Sequence, residues 1–184
     1  MRLYHAGFDV IKEPDIHYGR KNADFGQGFY TTPDKEFAYR WAKETPGKKT
    51  IVNHYELDTD GLVVKNFDRS EEWFEYIYAN RHRKPDELEA DVIVGPIAND
   101  IIYDTLGITT SGFLDKNESM QLLMIGPEYV QVVIKSEKAN ANLKWLSSGE
   151  LTGEQLAVYR EQMAKEEHAF QTEFAKTLEV MEEK

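Results

Sequence analysis

The stretch DFGQGFYTTPDKEFAYRWA, residues 24–42, constrains the fold of this chain more than any other segment. Two glycines flank Gln27, an aromatic pair follows, and a helix start comes next. Thr32 is the predicted N-cap and Pro33 the first helical residue, and the Thr-Pro-Gly sequence at 45–47 is predicted to end the helix. A short loop rarely needs Gly-x-Gly beside aromatic residues unless its backbone approaches something closely. The stretch predicts a tight loop, a strand and a helix packed against another part of the molecule.

Apolar runs and capping signals elsewhere predict an α+β chain without internal repeats. Beyond the strand that follows the glycine loop, strands are predicted at 2–5, 50–57, 62–67, 91–94 and 130–134. The second and third of these are predicted to pair through the turn at 58–61. Helices are predicted after Ser70 to about Arg81, after Asn99 or Asp100 to Leu106, after Asp115 to Met124, after Ser136 toward Leu143, and from Glu150 onward.

Composition narrows the classes of function. The 184 residues carry a formal net charge of -11, which argues against an unassisted grip on nucleic acid phosphates, although lysines and arginines at 48–49 and 81–84 form two local clusters. The absence of cysteine excludes thiol nucleophiles, disulfides and cysteine zinc sites. Since no segment approaches a signal peptide or a membrane span, we expect a soluble cytoplasmic protein without a membrane partner.

The C-terminal part differs from the rest in its residue composition. We predict one domain over residues 1–146 and an acidic amphipathic helix over residues 147–184. Its apolar residues fall near one helical face: Leu156, Tyr159, Met163, Phe170, Phe174, Leu178 and Met181. The simpler interpretation is a helix that packs on its own domain, and the alternative is a helix that binds a partner, such as an antitoxin, or a second copy of the chain.

Three motifs together resemble the ADP-ribosyltransferase superfamily. His5 ends the first strand, Gly26-Gln-Gly28-Phe-Tyr30 follows it, and Tyr39 lies on the next helix. The branch with a His-Tyr-acid triad, as in diphtheria toxin and the poly(ADP-ribose) polymerases, is the most similar. Within it, the segments LYHAG, DFGQGFYTT and GPIAND are closest to one uncharacterised bacterial family, over residues 2–145.

The resemblance implies a fold of two small, roughly orthogonal, mostly antiparallel sheets with flanking helices. It implies a site for NAD as substrate and requires no metal. His5 would bond a ribose hydroxyl, and Tyr30 and Tyr39 would enclose the nicotinamide ring. The backbone at Ala6 and Gly7 would hold its amide. Gly28 and Phe29 would complete the nucleotide-binding motif. Independently of the resemblance, Arg20 could hold pyrophosphate oxygens or remain a solvated loop arginine.

The sequence departs from the branch at two positions. Ala6 replaces a glycine, so its backbone must keep a negative φ to make the same contact. The third motif residue, an acid in the branch, is Glu128 by one alignment and Gln131 by the other. Because the two lie three residues apart, only one can face the site of a regular strand, and we favour Gln131. A glutamine supplies no charge, so activation of the acceptor would fall to the acceptor itself or to another acid such as Asp100.

These expectations lead to a mono-ADP-ribosyltransferase that modifies a protein or nucleic acid, with a bacterial toxin or a defence effector as the expected setting. Cleavage of the nicotinamide–ribose bond develops an oxocarbenium ion, as glycoside cleavage does, so the site must orient the ribose and stack the leaving ring. The alternatives are a module that binds NAD without transferase activity, and an NAD glycohydrolase.

Overall fold

A computed structural model describes residues 1–99 and 114–182 as an α+β chain with two sheets and five helices. The strands are β1 (Arg2–Gly7), β2 (Phe29–Thr31), β3 (Ile51–Leu57), β4 (Val64–Asn66), β5 (Val92–Pro96), β6 (Val130–Ile134) and β7 (Leu143–Glu150). The helices are α1 (Lys35–Arg40), α2 (Glu71–Arg81), α3 (Lys116–Leu123), α4 (Glu137–Ala141) and α5 (Gly153–Glu182). No helix within these residues is long and apolar enough to cross a membrane.

The strands form a three-stranded sheet of order β1-β3-β7 and a four-stranded sheet of order β2-β6-β5-β4. All pairs are antiparallel except β4 with β5, which is parallel. A bridge between the sheets joins Tyr4 to Thr32, with N–H···O distances of 2.8 and 2.9 Å between the two backbones. The two sheets therefore meet where β1 passes the end of β2.

Three sequence predictions about elements need correction. The segment at 62–67 does not pair with β3; its strand, β4, lies in the other sheet beside β5. Helix α1 is capped by Asp34, whose carboxylate accepts the backbone N–H groups of Glu36 and Phe37, because Thr32 is engaged in the bridge to β1. The helix ends at Arg40, well before the predicted stop at 45–47.

Strand β7 was not predicted, and the domain boundary proposed between 146 and 147 falls inside it. β7 completes the first sheet by pairing with β3, so residues as far as Glu150 belong to the sheet. Helix α5 then packs back on the domain, with Leu156 and Phe170 buried.

Three other capping predictions are confirmed. Ser70 caps α2, Asp115 forms a capping box with Glu118 at the start of α3, and Ser136 caps α4. The predicted helix after Asn99 or Asp100 lies outside the described residues.

Candidate functional site

A cleft opens where the two sheets meet. Its larger cavity, about 550 Å³, lies beside a smaller one of about 190 Å³, and the two share Arg20, Tyr30 and Trp41 as walls. The larger cavity is lined by Tyr4, His5, Ala6, Gly7, Phe8, Arg20, Tyr30, Thr31, Thr32, Ala38, Trp41 and Lys43. The smaller one is lined by Arg20, Ala23, Asp24, Tyr30, Trp41, Ile97 and Gln131. The shared walls show that the two cavities adjoin.

Six of the nine predicted site residues line this cleft: His5, Ala6, Gly7, Arg20, Tyr30 and Gln131. Residues that are far apart in sequence thus meet at the junction of β1, β2 and β6.

Tyr39, Gly28 and Phe29 do not line the cleft. Tyr39 points to helix α5, where its ring meets Tyr159 edge-on at 5.3 Å. Gly28 lies flush against β6, because a Cβ there would come within 2.6 Å of Val133. Phe29 belongs to the core and lies behind His5, with ring centroids 4.7 Å apart. For these three, the structure indicates packing in place of direct ligand contact.

Trp41 is the aromatic residue of the α1 region that lines both cavities. Its ring stacks on that of Phe37, with centroids 5.5 Å apart. Because α1 ends at Arg40, Trp41 sits at the helix cap, half-buried, and reaches the cleft. Sequence reasoning missed Trp41 because it predicted a helix that continues to 45–47.

His5 is held by the backbone of the glycine motif. Its Nδ1 lies 2.7 Å from the carbonyl oxygen of Tyr30, which can only accept, so Nδ1 carries the proton. Burial lowers the pKa of His5 below its ordinary value of 6.5, although the bond to the Tyr30 carbonyl opposes the shift. The ring is therefore neutral near pH 7, and its Nε2 is left as a hydrogen-bond acceptor.

Tyr30 is anchored at its hydroxyl end. The hydroxyl donates to the carbonyl of Gly26 at 2.7 Å and accepts from the backbone N–H of Phe25 at 3.1 Å. Burial, and next the negative charge of Asp24, raises the pKa of Tyr30 well above its ordinary value. Gly26 adopts a left-handed conformation, φ +71°, which turns its loop back toward the tyrosine hydroxyl. A phenol fixed in this way offers its ring, and not an ionised oxygen, to the cleft.

Gln131 lies on β6 opposite Gly95 of β5 and is 2 % exposed. Its side-chain amide forms no hydrogen bond with any described residue, yet it lines the smaller cavity. Its amide atoms are open to the cavity and not sealed in the core, so water or a ligand can satisfy them. Glu128, the competing third-motif residue, is exposed and lines neither cavity.

The backbone of Ala6 faces the cleft side of β1. Backbone polar groups alternate in direction along an antiparallel strand. Those of Tyr4 bond Thr32 on the side away from β3, so those of Ala6, two residues on, point the same way. Among the described residues Arg83 is the one non-glycine with a positive φ, so Ala6 meets the condition that the sequence analysis set for it.

Asp24 lines the smaller cavity, but its carboxylate is occupied. Oδ1 accepts from Nε and Nη2 of Arg81 at 3.0 and 2.9 Å, and Oδ2 accepts from the backbone N–H of Ala98 at 3.1 Å. Both side chains are more than nine-tenths buried, so Arg81 is withdrawn from the basic cluster at 81–84. The bond from the backbone N–H of Ala98 to Asp24 ties the GPIAND and DFG segments together. No local pattern in the sequence indicates this long-range pairing.

The charge of the larger cavity is opposite to that of the whole chain. Its lining contains Arg20 and Lys43 and no carboxylate, whereas the chain carries a net charge of -11. Across residues 1–99 and 114–182 no group of three or more acidic or histidine side chains is placed to hold a metal ion. Asp100, considered above as an alternative acid, lies outside the described residues. The lining therefore favours an anionic ligand.

The sequence profile of a family described as "Protein of unknown function (DUF3990)" matches residues 1–145. The match covers both sheets except the end of β7, and it includes every residue of the cleft lining. No curated protein and no solved structure gives a significant match.

Proposed function

The chain belongs to the DUF3990 family, and we propose that it is an NAD-dependent mono-ADP-ribosyltransferase that modifies a protein or a nucleic acid. The observation that carries the proposal is the meeting of His5, Tyr30 and Gln131 around two adjoining cavities of one cleft. These are the three motif positions that the resemblance to the ADP-ribosyltransferases selects. Two small, mostly antiparallel sheets that join beside the cleft are compatible with that superfamily's fold.

The first task of such a site is to orient a ribose. Nε2 of His5 accepts a ribose hydroxyl, since Nδ1–H is committed to the carbonyl of Tyr30. The amide of Gln131 bonds the sugar from the other part of the cleft and gains the partner that it otherwise lacks. Hydrogen bonds from both parts of the cleft fix the sugar relative to its leaving group, which lowers the entropic part of the barrier.

The second task is to hold the nicotinamide. The outward N–H and C=O of Ala6 match the acceptor and donor of a carboxamide, as an added strand would. Tyr30 and Trp41 supply aromatic surface to both cavities, and stacking contributes on the order of 1 kcal/mol per ring pair beyond burial. We therefore assign to Trp41 the stacking role that the resemblance gave to Tyr39.

The third task is to hold the pyrophosphate. Arg20 is exposed at the cleft and free to present its guanidinium to two oxygens, and Lys43 adds a second positive charge. Transfer breaks the bond between the nicotinamide nitrogen and ribose C1, with the electron pair leaving on nicotinamide. A bond then forms between C1 and an oxygen or nitrogen of the acceptor, whose proton is released to water. The carbonyl dipole of Gln131 stabilises the developing positive charge at C1.

A second candidate, an NAD-binding module without transferase activity, is favoured by one observation. Gln131 carries no charge, and the carboxylate of Asp24 is already paired with Arg81 and Ala98. Neither group can act as a general base in the arrangement described. The two candidates bind the same ligand and differ only in turnover.

The test is to incubate the purified chain with NAD labelled in the adenylate part, in the presence and absence of cell lysate. We expect release of nicotinamide and label on macromolecules that protease or nuclease removes. His5→Ala and Trp41→Ala should both abolish labelling, and Tyr39→Phe is the matched control that should retain it. Calorimetric binding of NAD without release would favour the binding module, and absence of binding would refute both candidates. Release without labelling would indicate a glycohydrolase.

A further inference from the structure

The C-terminal helix touches the body of the domain at a polar cluster behind the cleft. Both carboxylate oxygens of Glu166 on α5 lie 2.5 Å from the hydroxyl of Tyr129, and Oε2 lies 3.3 Å from Nη1 of Arg40. Arg40 also donates to the Tyr129 hydroxyl at 3.1 Å. The side chains of Arg40 and Glu166 are 24 % and 22 % exposed, so the cluster is largely shielded from water.

The cluster is surrounded by apolar packing, which holds α5 in place on both sides. Toward the N-terminus of the helix, Leu156 is buried in a cluster with Ala38 and Val52. Toward its C-terminus, Phe170 is buried with Leu122 and Ile125. Glu166 therefore meets Tyr129 at a defined position along the helix.

From Tyr129 a continuous stack of rings leads to the cleft. The ring of Tyr129 lies parallel to that of Phe37, with centroids 4.3 Å apart and planes 4° apart. Phe37 stacks on Trp41 at 5.5 Å and 16°. Trp41 lines both cavities of the cleft. Three rings thus connect a hydrogen bond on α5 with a wall of the candidate site.

Tyr129 also lies immediately before β6, the strand that carries Gln131. Its backbone carbonyl accepts a hydrogen bond from the N–H of Ile97 at 2.8 Å. A displacement of Tyr129 would therefore move the start of β6 as well as the aromatic stack. Two separate parts of the cleft depend on where this one side chain lies.

We propose that Glu166 and Tyr129 are positioning residues, through which α5 fixes Trp41 and the start of β6 in the geometry that the cleft needs. The inference rests on the proposed function for its consequence in NAD binding, but not for the structural coupling itself. It gives α5, which lies beyond the 1–145 family match, a role in the site. Since coupling is reciprocal, bound NAD should hold α5 more firmly to the domain.

The test uses the full chain labelled with 5-fluorotryptophan, whose three tryptophans give separate fluorine signals. Trp41→Phe assigns the signal of interest. Tyr129→Phe keeps the ring stack and removes the bond to Glu166, and Glu166→Gln removes the charge. We expect both variants to shift or broaden the Trp41 signal and to leave that of Trp145 unchanged. Tyr159→Phe, the same substitution in the same helix interface, and Glu167→Gln, its exposed neighbour, should leave the Trp41 signal in place.

Ligand binding supplies the second readout. We expect Tyr129→Phe to weaken NAD binding by on the order of fivefold, the effect of one lost hydrogen bond, at a melting temperature close to that of Tyr159→Phe. An unchanged Trp41 signal in folded Tyr129→Phe and Glu166→Gln would overturn the coupling. If the wild-type chain does not bind NAD, the proposed function fails, while the fluorine signals still decide the coupling.

Discussion

The glycine loop has two sides that differ in how their polar groups are satisfied. On its rear side, toward α2, the carboxylate of Asp24 is paired with Arg81 although the residue also borders the smaller cavity, and Lys135 donates to Phe25 and to Asp86 at 2.6 and 2.9 Å. On its cleft side, the amide of Gln131 opens on the smaller cavity without a partner among the described residues, and Arg20 is exposed. The same short loop thus separates a saturated network from an unsaturated one.

The two sets of groups differ in what they leave available to a ligand. A buried charge whose hydrogen bonds are all made stabilises the fold only while its partners stay in place, and it has no free donor or acceptor for a ligand. An amide that opens on a cavity without a protein partner keeps its donors and its acceptor available. The contrast supports placing the proposed site on the cleft side.

The largest expected effect concerns the rear side. Asp24→Ala leaves the guanidinium of Arg81 buried without its carboxylate, so we expect the free energy of unfolding to fall by about 3–5 kcal/mol. Urea denaturation at pH 7 measures it, and the exposed acid Glu128→Ala is the control, with an expected change within about 0.5 kcal/mol. A loss below about 1 kcal/mol would contradict a structural role for this pair.

The next effect concerns the tight approach of the loop to β6. An alanine Cβ at position 28 would lie 2.6 Å from Val133 Cγ1 and 2.7 Å from the carbonyl oxygen of Ile134, and the backbone oxygen cannot move aside cheaply. We expect Gly28→Ala to cost about 1–3 kcal/mol by overpacking. Gly149→Ala is the matched control, because a Cβ there meets nothing within 4 Å. Equal melting temperatures for the two variants would argue against this close packing.

A smaller energetic effect is expected on the cleft side. Gln131→Ala should lower turnover by about tenfold or more, the equivalent of about 1.4 kcal/mol, because a hydrogen bond to the ribose is lost. Gln131→Glu restores a negative charge beside the developing cation, so nicotinamide release should rise or stay the same. Glu128→Ala should have little effect. If Glu128→Ala were inactive and Gln131→Ala had normal activity, the third motif residue would be Glu128 and not Gln131.

The smallest effect is a pH dependence. Because burial lowers the pKa of His5 below 6.5, the unfolded chain takes up a proton there before the folded one does as pH falls. The contribution of neutral His5 to the free energy of unfolding should therefore be fully present above about pH 6.5. It should be lost progressively as the pH falls from there toward the pKa of His5 in the folded protein. His5→Asn should flatten this decrease in denaturant titrations between about pH 7.5 and 5. His54→Asn is the comparison variant. Burial lowers the pKa of His54 as well, but this histidine is more exposed, so His54→Asn should flatten the decrease less than His5→Asn does.

Protonation should also weaken binding at the cleft. A doubly protonated His5 keeps its bond to Tyr30 but loses the acceptor at Nε2. NAD affinity should thus fall as pH decreases through the folded pKa, and the fall should be absent in His5→Asn. A pH-independent affinity in the wild type would remove His5 from the binding machinery.

Local signals in the sequence predicted local structure well. The caps at Ser70, Asp115 and Ser136 each act over three residues, so their outcome depends on little beyond the neighbouring backbone. The capping prediction at Thr32 was wrong because a contact from β1 engaged its backbone and left Asp34 as the cap. Where a distant strand intervenes, the local preference yields.

The motif residues illustrate the same limit within the site. The resemblance implied that His5, Tyr30 and Tyr39 share a cleft with Gln131 as the third motif residue, and the structure brings His5, Tyr30 and Gln131 to it. Tyr39 and Trp41 are two residues apart, and which of them reaches the cleft depends on where α1 ends and on what α5 covers. The resemblance selected Tyr39, and the tertiary packing presents Trp41.

By itself, the sequence determined the α+β class, the turn at Gly26 and most helix starts, because each depends on side chains within one or two turns of chain. Only the tertiary structure decided that β4 pairs with β5, that Arg81 neutralises Asp24, and that α5 reaches Tyr129. Each of these contacts joins segments tens of residues apart and excludes water from both partners. Their free energy depends on burial that exists only when the whole domain has assembled.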